Sequence, residues 1–182
     1  MKKTFSNILL VVTAFAFFAC SDGIDYQKMR EAELDLLDEY LAIAHPGAEA
    51  TPSGLYYFNE PGYGEGDTIK VGDQVQLFYA TWALEDTDEG PDSTLVDETS
   101  GFLDGHRYEP YLVTVGSGGS ITGLEEGLTY MQPGTRSRLV INSELAYGQS
   151  GSGYTVGAFQ TVLMEVEIYK VIPYNTGSEE EE

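Results

Sequence analysis

Residues 121–128 of the chain read Ile-Thr-Gly-Leu-Glu-Glu-Gly-Leu and predict a short helix. The apolar side chains that recur on one side of it at helical spacing are Leu124, Leu128 and Met131. Thr122 is followed three residues later by Glu125, the pattern of a capping box, so we expect each side chain to accept a hydrogen bond from the backbone N–H of the other residue. The helix is therefore predicted to begin at Thr122 and to present one apolar face.

Strand patterns flank this helix on both sides. A period of two over residues 74–81, and again over 162–169, indicates strands with one face inward. The alternating set in the first of these is Val75, Leu77, Tyr79 and Thr81. Shorter strand candidates lie at residues 55–58, 111–115 and 136–141. Several antiparallel strands around one short helix make an α+β domain.

A second helix is predicted before this domain. From Asp25 to about Ala44, apolar residues recur at helical spacing, with acids on the other side. Pro46 and Gly47 end the helix, because proline disfavours helical geometry in the residue before it and glycine gives a flexible exit. The apolar stripe of this 24–44 segment has three interpretations: it packs on its own domain, forms a dimer with a second copy, or enters the groove of another protein.

Charge restricts the partners of the chain. Its 182 residues include 9 Lys and Arg against 30 Asp and Glu, a formal net charge of −21. This length suggests one domain with appendages, and the charge argues against nucleic acid and against electrostatic docking on anionic lipid. Eight acids and no base fall within residues 85–104, so residues 85–109 are predicted to be a solvated acidic insertion or long loop. Residues 174–182 are predicted to be an acidic disordered tail.

The first twenty residues have the features of an export signal. Lys2 and Lys3 precede an uncharged stretch from Ile8 to Ala19. Its twelve residues would make a helix of only ~18 Å, against the ~30 Å hydrocarbon core of a bilayer. The stretch ends at Cys20, the only cysteine, and this end resembles a bacterial lipoprotein processing site.

Cys20 would then be the lipidated N-terminus of the mature chain. Residues 1–19 would be removed as a signal peptide, and residues 20–50 would form the linker and the amphipathic helix. Ser21, rather than Asp, follows the cysteine, which resembles lipoproteins sorted to an outer membrane. The expected location is therefore the cell envelope, lipid-anchored at the outer membrane. The alternative is an ordinary cleaved signal and a spare thiol; a single cysteine excludes an internal disulfide.

Conventional catalytic residues are scarce. His45 and His106 are interpreted as surface residues, and neither has His or Cys partners at the spacing of zinc ligands. The glycine-rich run at residues 116–119 lacks the Lys-Ser/Thr of a phosphate-binding loop. Residues 86–90 suggest a calcium loop, but the glycine falls one place early and a proline follows, so a solvated charge run is favoured. No metal and no cofactor are therefore predicted.

A series of motifs resembles the FKBP family of peptidyl-prolyl cis-trans isomerases in order and spacing. The motifs are Gly72-Asp73-Gln74-Val75 leading to Phe78-Tyr79, then Val96-Asp97, Pro110-Tyr111, Val115-Gly116, the 121–128 helix, Met131 with Gly134, and Leu145-Ala146-Tyr147-Gly148. The resemblance covers about residues 55–172, and residues 51–173 are assigned to an FKBP-type domain. It implies a twisted antiparallel half-barrel wrapped around a short helix.

The resemblance also implies a site and a reaction. The residues expected to act on the prolyl bond are Tyr79, Asp97, Ile121 and Tyr147. Ile121 would offer its backbone N–H, Tyr147 its hydroxyl and Asp97 a carboxylate at the rim. The other residues expected to line the proline pocket are Val96, Tyr111, Leu124, Val156 and Met164. The partners would be proline-containing polypeptides, and no nucleophile or catalytic histidine is needed because no covalent bond is broken.

Several positions depart from the family's pattern. Leu124 stands where the family usually has a tryptophan, Val96 and Met164 where it has phenylalanines, and residues 156–158 where it has Ile-Pro-Pro. Phe102 is a second candidate for the space assigned to Val96. A wider and less rigid pocket is therefore expected. The chain is either a prolyl isomerase of reduced activity that assists the folding of exported or envelope proteins, or a non-catalytic FKBP-like lipoprotein that binds peptides as a chaperone.

Overall fold

The computed structural model describes residues 25–60, 64–106 and 109–174. Its helices and strands in chain order are α1 (Tyr26–Ala44), β1 (Tyr56–Asn59), β2 (Gln74–Thr87), β3 (Gly90–Glu98), β4 (Tyr111–Thr114), α2 (Thr122–Leu128), β5 (Arg136–Ile141) and β6 (Val162–Ile172). Two short 3₁₀ turns, Ser143–Leu145 and Gly148–Ser150, lie between β5 and β6.

The six strands of the described residues form one antiparallel sheet. Its order is β1-β5-β6-β2-β3, and β4 pairs with the first part of β2. The long central strands β2 and β6 pair from Gln74 opposite Ile172 to Ala83 opposite Val162. Both strands run beyond the ends predicted from their periodicity. The sheet does not close on itself, and α2 packs on one of its faces, so the predicted α+β class is confirmed.

Two glycines allow α2 to lie directly on the sheet. A β-carbon at Gly127 would stand 2.8 Å from Leu139 Cδ1, and one at Gly123 would overlap the side chain of Ile141. The close approach buries the whole apolar face predicted for this helix, namely Leu124, Leu128 and Met131. These side chains fill the main core together with the inward residues of β2, β5 and β6.

Helix α1 packs on the opposite face of the sheet. Leu37 and Leu41 are buried against Val140, whose neighbours in β5 belong to the core beneath α2. His45 ends the helix and stacks on Phe58, with 3.9 Å between the ring centroids. Of the three interpretations of the apolar stripe, packing on its own domain is the one that the structure shows. Dimerisation through the 24–44 segment stays a prediction.

Of the predicted solvated insertion or long loop over residues 85–109, the long loop is wrong for residues 85–98, which form the end of β2, a two-residue turn and β3. Strand β2 continues to Thr87 and turns through Asp88 and Glu89 into β3. Thr87 pairs with Gly90, whose φ of 107° favours glycine. β3 is an edge strand with many exposed side chains, so it lacks the apolar alternation of the other strands and is held by its pairing with β2.

Three predictions lie outside the described residues: the signal peptide at 1–19, the lipidation of Cys20, and the acidic tail from residue 175 onwards. Within the described ranges, neither helix has both the length and the apolar composition that crossing a bilayer requires.

Candidate active site

A cavity of about 320 Å³ opens beside the N-terminus of α2. Seven of the predicted site residues line it: Tyr79, Asp97, Tyr111, Ile121, Leu124, Tyr147 and Met164. Three further lining residues were not predicted: Thr81, Gly119 and Ser120. The structure thus brings together, in one pocket, residues from β2, β3, β4, α2, β6 and two connecting segments.

One wall of the pocket is built from tyrosines on adjacent strands. The rings of Tyr79 on β2 and Tyr111 on β4 meet edge to face, with centroids 5.6 Å apart and an interplanar angle of 75°. The Tyr79 hydroxyl donates a hydrogen bond of 2.7 Å to Asp97 Oδ2 on β3. Asp97 lies opposite Thr81 in the register, which brings its carboxylate to the rim on the Tyr79 side of the pocket.

Burial raises the pKa of two tyrosines in the pocket, Tyr79 and Tyr147. Burial raises the pKa of Tyr79 well above its ordinary value, and the hydrogen bond to Asp97 raises it further. Burial also raises the pKa of Tyr147, and the negative charge of Asp97 adds to the effect. Both hydroxyls therefore stay protonated at neutral pH, where they form hydrogen bonds but do not exchange protons.

The loop before α2 is organised by Glu125. Its Oε2 accepts hydrogen bonds from Gly116 N at 2.8 Å and Gly118 N at 3.3 Å, and its Oε1 accepts one from Ser120 N at 3.1 Å. The predicted capping box is therefore wrong. Thr122 is already the first helical residue and Ile121 is the N-cap, so Glu125 turns to the loop instead. These hydrogen bonds fix the backbone of the loop up to Ser120, and so they also fix the position of the next residue, Ile121, at the pocket.

Two donors at the pocket have no acceptor among the residues that the structure describes. Among the described residues, no hydrogen-bond acceptor is found for the Ile121 N–H or for the Tyr147 hydroxyl. Tyr147 follows a tight turn in which Ala146 N donates to Ser143 O at 3.0 Å and Glu144 N donates to Asn142 Oδ1 at 3.0 Å. The turn gives Tyr147 a fixed backbone, while its hydroxyl remains available to a ligand.

Two of the predicted lining residues lie behind the pocket surface. Val96 is the extra residue of a β-bulge, where Thr81 pairs with Asp97 and Trp82 pairs with Leu95, and it packs partly buried against the main core. Val156 is 3% exposed and belongs to that same core. Neither lines the cavity.

Phe102 does not take the place assigned to Val96. It is buried with Phe78 and Ala80 in a separate cluster, which is built on the other face of β2. Neither of the two candidates for this space, Val96 or Phe102, therefore lines the cavity.

The histidines stand apart from the pocket. His45 lines a second cavity of about 210 Å³ between α1 and the sheet, and burial followed by the charge of Arg138 lowers its pKa. His106 is exposed, with Nδ1 at 3.3 Å from Asp104 Oδ1. Within residues 25–60, 64–106 and 109–174 there is no group of three or more His, Cys, Asp or Glu able to hold a metal ion. The pocket itself offers donors and apolar walls.

An open antiparallel sheet over a short helix, with a tyrosine-lined apolar pocket at the start of that helix, defines the prolyl isomerases of FKBP type. The family model described as "FKBP-type peptidyl-prolyl cis-trans isomerase" matches residues 66–169, more than half of the chain. The chain belongs to this family, and the predicted enzyme class, peptidyl-prolyl cis-trans isomerase, is confirmed.

Individual relatives agree with the family match. The chain is 36% identical over 102 residues to FK506-binding protein 2B of Rhizopus delemar, which covers 56% of this chain and 44% of that protein. It is 35% identical over 100 residues to the FK506-binding protein of Neisseria meningitidis serogroup C, covering 55% of this chain and 81% of the relative. A crystal structure of a peptidyl-prolyl isomerase from Pseudomonas syringae aligns with a TM-score of 0.62 at 22% identity, over 83% of this chain and 98% of that one, which shows the shared fold.

Proposed function

We propose that the protein is a lipid-anchored prolyl isomerase of the bacterial cell envelope, which accelerates cis-trans isomerisation of X-Pro bonds in exported polypeptides. The observation that carries this proposal is the pair of free donors at one small pocket with an apolar floor. Among the described residues, the Ile121 N–H and the Tyr147 hydroxyl have no protein acceptor. Both residues are half-buried and line the pocket, so a bound peptide can reach the two donors and accept their hydrogen bonds.

The reaction depends on differential binding rather than on covalent chemistry. An X-Pro bond rotates over a barrier of ~20 kcal/mol because rotation breaks amide resonance. The twisted amide has a less polarised carbonyl and needs water less, so walls that exclude water favour it over the planar form. Leu124 and Met164 supply such a floor, at 2% and 5% exposure. Each tenfold increase in the rate of isomerisation requires that the pocket bind the twisted amide ~1.4 kcal/mol more tightly than the planar amide.

The polar groups would hold the peptide while its bond twists. The Ile121 N–H and the Tyr147 hydroxyl would donate to two peptide carbonyls. Asp97 is fixed at the rim by the Tyr79 hydroxyl, and among the described residues that line the cavity it is the one charged side chain. Its charge favours substrates with a lysine or arginine beside the proline, as does the strongly acidic chain around it.

A protease-coupled assay on an Ala-Leu-Pro-Phe peptide tests the activity. The full chain should accelerate isomerisation over buffer. Tyr147→Phe should lower kcat/KM about two- to twelvefold, because it removes one hydrogen bond of about 0.5–1.5 kcal/mol. Tyr130→Phe is the matched control: its hydroxyl bonds to Glu126 outside the pocket, so it should leave kcat/KM unchanged. Equal losses in the two variants would contradict the assigned role of Tyr147.

A second candidate function is a non-catalytic peptide-binding chaperone on the same scaffold. The aliphatic floor favours it, since Leu124 replaces the tryptophan and Met164 a phenylalanine of the family's usual pattern. Leu124→Trp separates the two candidates, provided that circular dichroism shows a folded variant despite the larger side chain. An inactive wild type whose activity appears with Leu124→Trp would establish the chaperone; an active wild type supports the isomerase.

The location is supported by the signal-like residues 1–19 and by the single cysteine that follows them. Cys20→Ser should abolish metabolic labelling with a radioactive fatty acid and should release the protein from the membrane fraction. A wild-type chain that takes up no lipid label would contradict the anchor, and it would leave the proposed isomerase activity untouched.

A further inference from the structure

A buried carboxylate on α1 has no role in the mechanism above. Glu33 is 5% exposed. Its Oε1 accepts hydrogen bonds from Ser143 N at 2.6 Å and from Thr161 Oγ1 at 2.9 Å. Its Oε2 accepts hydrogen bonds from Ser143 Oγ at 2.6 Å and from Arg30 Nη1 at 2.5 Å. Donors from three separate parts of the chain therefore meet on one side chain.

Both of the distant segments that Glu33 holds lead into the pocket. Ser143 begins the 3₁₀ turn Ser143–Leu145, and Tyr147 follows two residues after that turn. Thr161, 2% exposed, immediately precedes β6, which carries Met164 to the pocket floor. Glu33 thus ties the segment that carries the free hydroxyl to the segment that carries the floor.

We propose that Glu33 is a positioning residue of the isomerase site: by holding Ser143 and Thr161 together, it sets where the Tyr147 hydroxyl stands above Met164. Its effect on rate rests on the proposed function, whereas the geometry that it sets belongs to the free protein. Glu33 does not line the pocket and acts only through Tyr147. Helix α1 is accordingly part of the scaffold of the active site.

The contacts of α1 separate this role from simple attachment of the helix. Arg30 on the same helix also reaches the turn, with Nη2 at 2.9 Å from Glu144 Oε2. The apolar contacts of the helix lie on the sheet instead, where Leu37 and Leu41 pack against Val140. α1 therefore has a polar attachment to the Tyr147 turn and an apolar attachment to the sheet, and each can be weakened separately.

Three substitutions at Glu33 grade the polar attachment. Glu33→Ala removes every acceptor and should lower kcat/KM about tenfold, because a small displacement of a binding group is costly in rate. Glu33→Asp keeps the charge but shortens the reach by ~1.5 Å, and should lower kcat/KM about fivefold. Glu33→Gln keeps one oxygen at full reach for Ser143 N and should stay within about twofold of wild type. If Glu33→Ala does not fold, the kcat/KM values of Glu33→Asp and Glu33→Gln test the proposal by themselves. Equal kcat/KM values for these two variants would overturn it.

Leu37→Ala is the matched control on the same helix. It should lower the melting temperature and leave kcat/KM unchanged at temperatures where the variant is folded, because Leu37 contacts the sheet and not the turn. A loss of rate in Leu37→Ala as large as that in Glu33→Ala would overturn the proposal, since general loosening of α1 would then explain both.

A double-mutant cycle tests whether Glu33 acts through Tyr147. In a Tyr147→Phe background, Glu33→Ala should lower kcat/KM by less than about twofold, because the hydroxyl that Glu33 positions is already absent. An equal loss in both backgrounds would overturn the proposal.

A readout without activity distinguishes this inference from the proposed function. The NMR signal of the Tyr147 ring, assigned by its loss in Tyr147→Phe, should shift in Glu33→Ala and Glu33→Asp but not in Leu37→Ala. An unshifted ring signal in the Glu33 variants would overturn the positioning role even if the wild type is an active isomerase. A shifted signal in a protein without isomerase activity would support the positioning role and contradict only the proposed function.

Discussion

Replacing Glu125 should loosen the loop that leads into α2. This side chain is 9% exposed and accepts hydrogen bonds from Gly116 N, Gly118 N and Ser120 N at 2.8, 3.3 and 3.1 Å. A hydrogen bond to a charged group contributes about 1.5–3 kcal/mol, and the longest of the three contributes less. Glu125→Ala should therefore lower the free energy of unfolding by about 3–5 kcal/mol. Glu125→Gln keeps one oxygen acceptor and should lower it by about 2 kcal/mol.

In denaturant unfolding, this loss of stability should lower the denaturant concentration at the midpoint and leave the dependence of the free energy on denaturant concentration unchanged. For a chain of this size, 1 kcal/mol corresponds to about 2–4 °C in melting temperature, so Glu125→Gln should melt about 4–8 °C below wild type. Glu126→Gln is the matched control. Glu126 is the next residue, but its Oε1 accepts from Thr51 Oγ1 and from the Tyr130 hydroxyl rather than from the loop backbone, so its loss should stay below about 1 kcal/mol.

Activity gives the second half of the test. Ile121 follows the loop directly, so Glu125→Gln should lower kcat/KM in the folded protein, and Glu126→Gln should not. Two results would refute the reasoning: equal losses of stability in the two glutamine variants, or a Glu125→Ala variant within about 1 kcal/mol of wild type.

Further tests concern pH, close packing and substrate charge. Activity should be nearly flat between about pH 6 and 8, because the raised pKa values of Tyr79 and Tyr147 keep both hydroxyls protonated; a bell-shaped profile would contradict this. The free energy of unfolding should fall as pH rises above about 10, where tyrosines ionise first in the unfolded chain, and Tyr79→Phe should reduce that fall in urea titrations. Gly123→Ala should cost about 1–3 kcal/mol in thermal unfolding, because its methyl group meets Ile141. Asp97→Asn should lower kcat/KM more for peptides with lysine beside the proline than for matched alanine peptides; equal effects would contradict a role for its charge.

The helices and strands that bury one face are predictable from this sequence, whereas the exposed edge strand β3 is not. The pattern at residues 136–141 matches β5 residue for residue, because Leu139 and Ile141 alternate into the core. β3 exposes Asp92, Thr94, Leu95 and Asp97, and it is held by pairing with β2 across the turn at Asp88 and Glu89. Side-chain periodicity does not encode such pairing, so the acidic composition suggests a loop.

In the site, too, some residues are indicated by the sequence pattern, and others reach the pocket only through the geometry of the folded chain. Thr81 was not predicted as a site residue, although the predicted alternation already places it on the same face of β2 as Tyr79. Val96 is displaced by a bulge, which leaves no mark in the residue pattern. Gly119 and Ser120 become pocket wall only because Glu125 organises the loop before them, and a local capping motif misassigns that glutamate.

The open edge at β3 also affects how copies of the protein behave towards one another. An edge strand offers backbone groups to which the strand of another molecule can add. Pro91 lacks an N–H for such pairing, and Asp88, Glu89 and Asp92 give the hairpin a concentration of negative charge. Two identical edges therefore repel one another at neutral pH. Near the isoelectric point of about 4.1 this repulsion fades, so above that pH the acids of the hairpin help to keep copies of the protein from associating through β3.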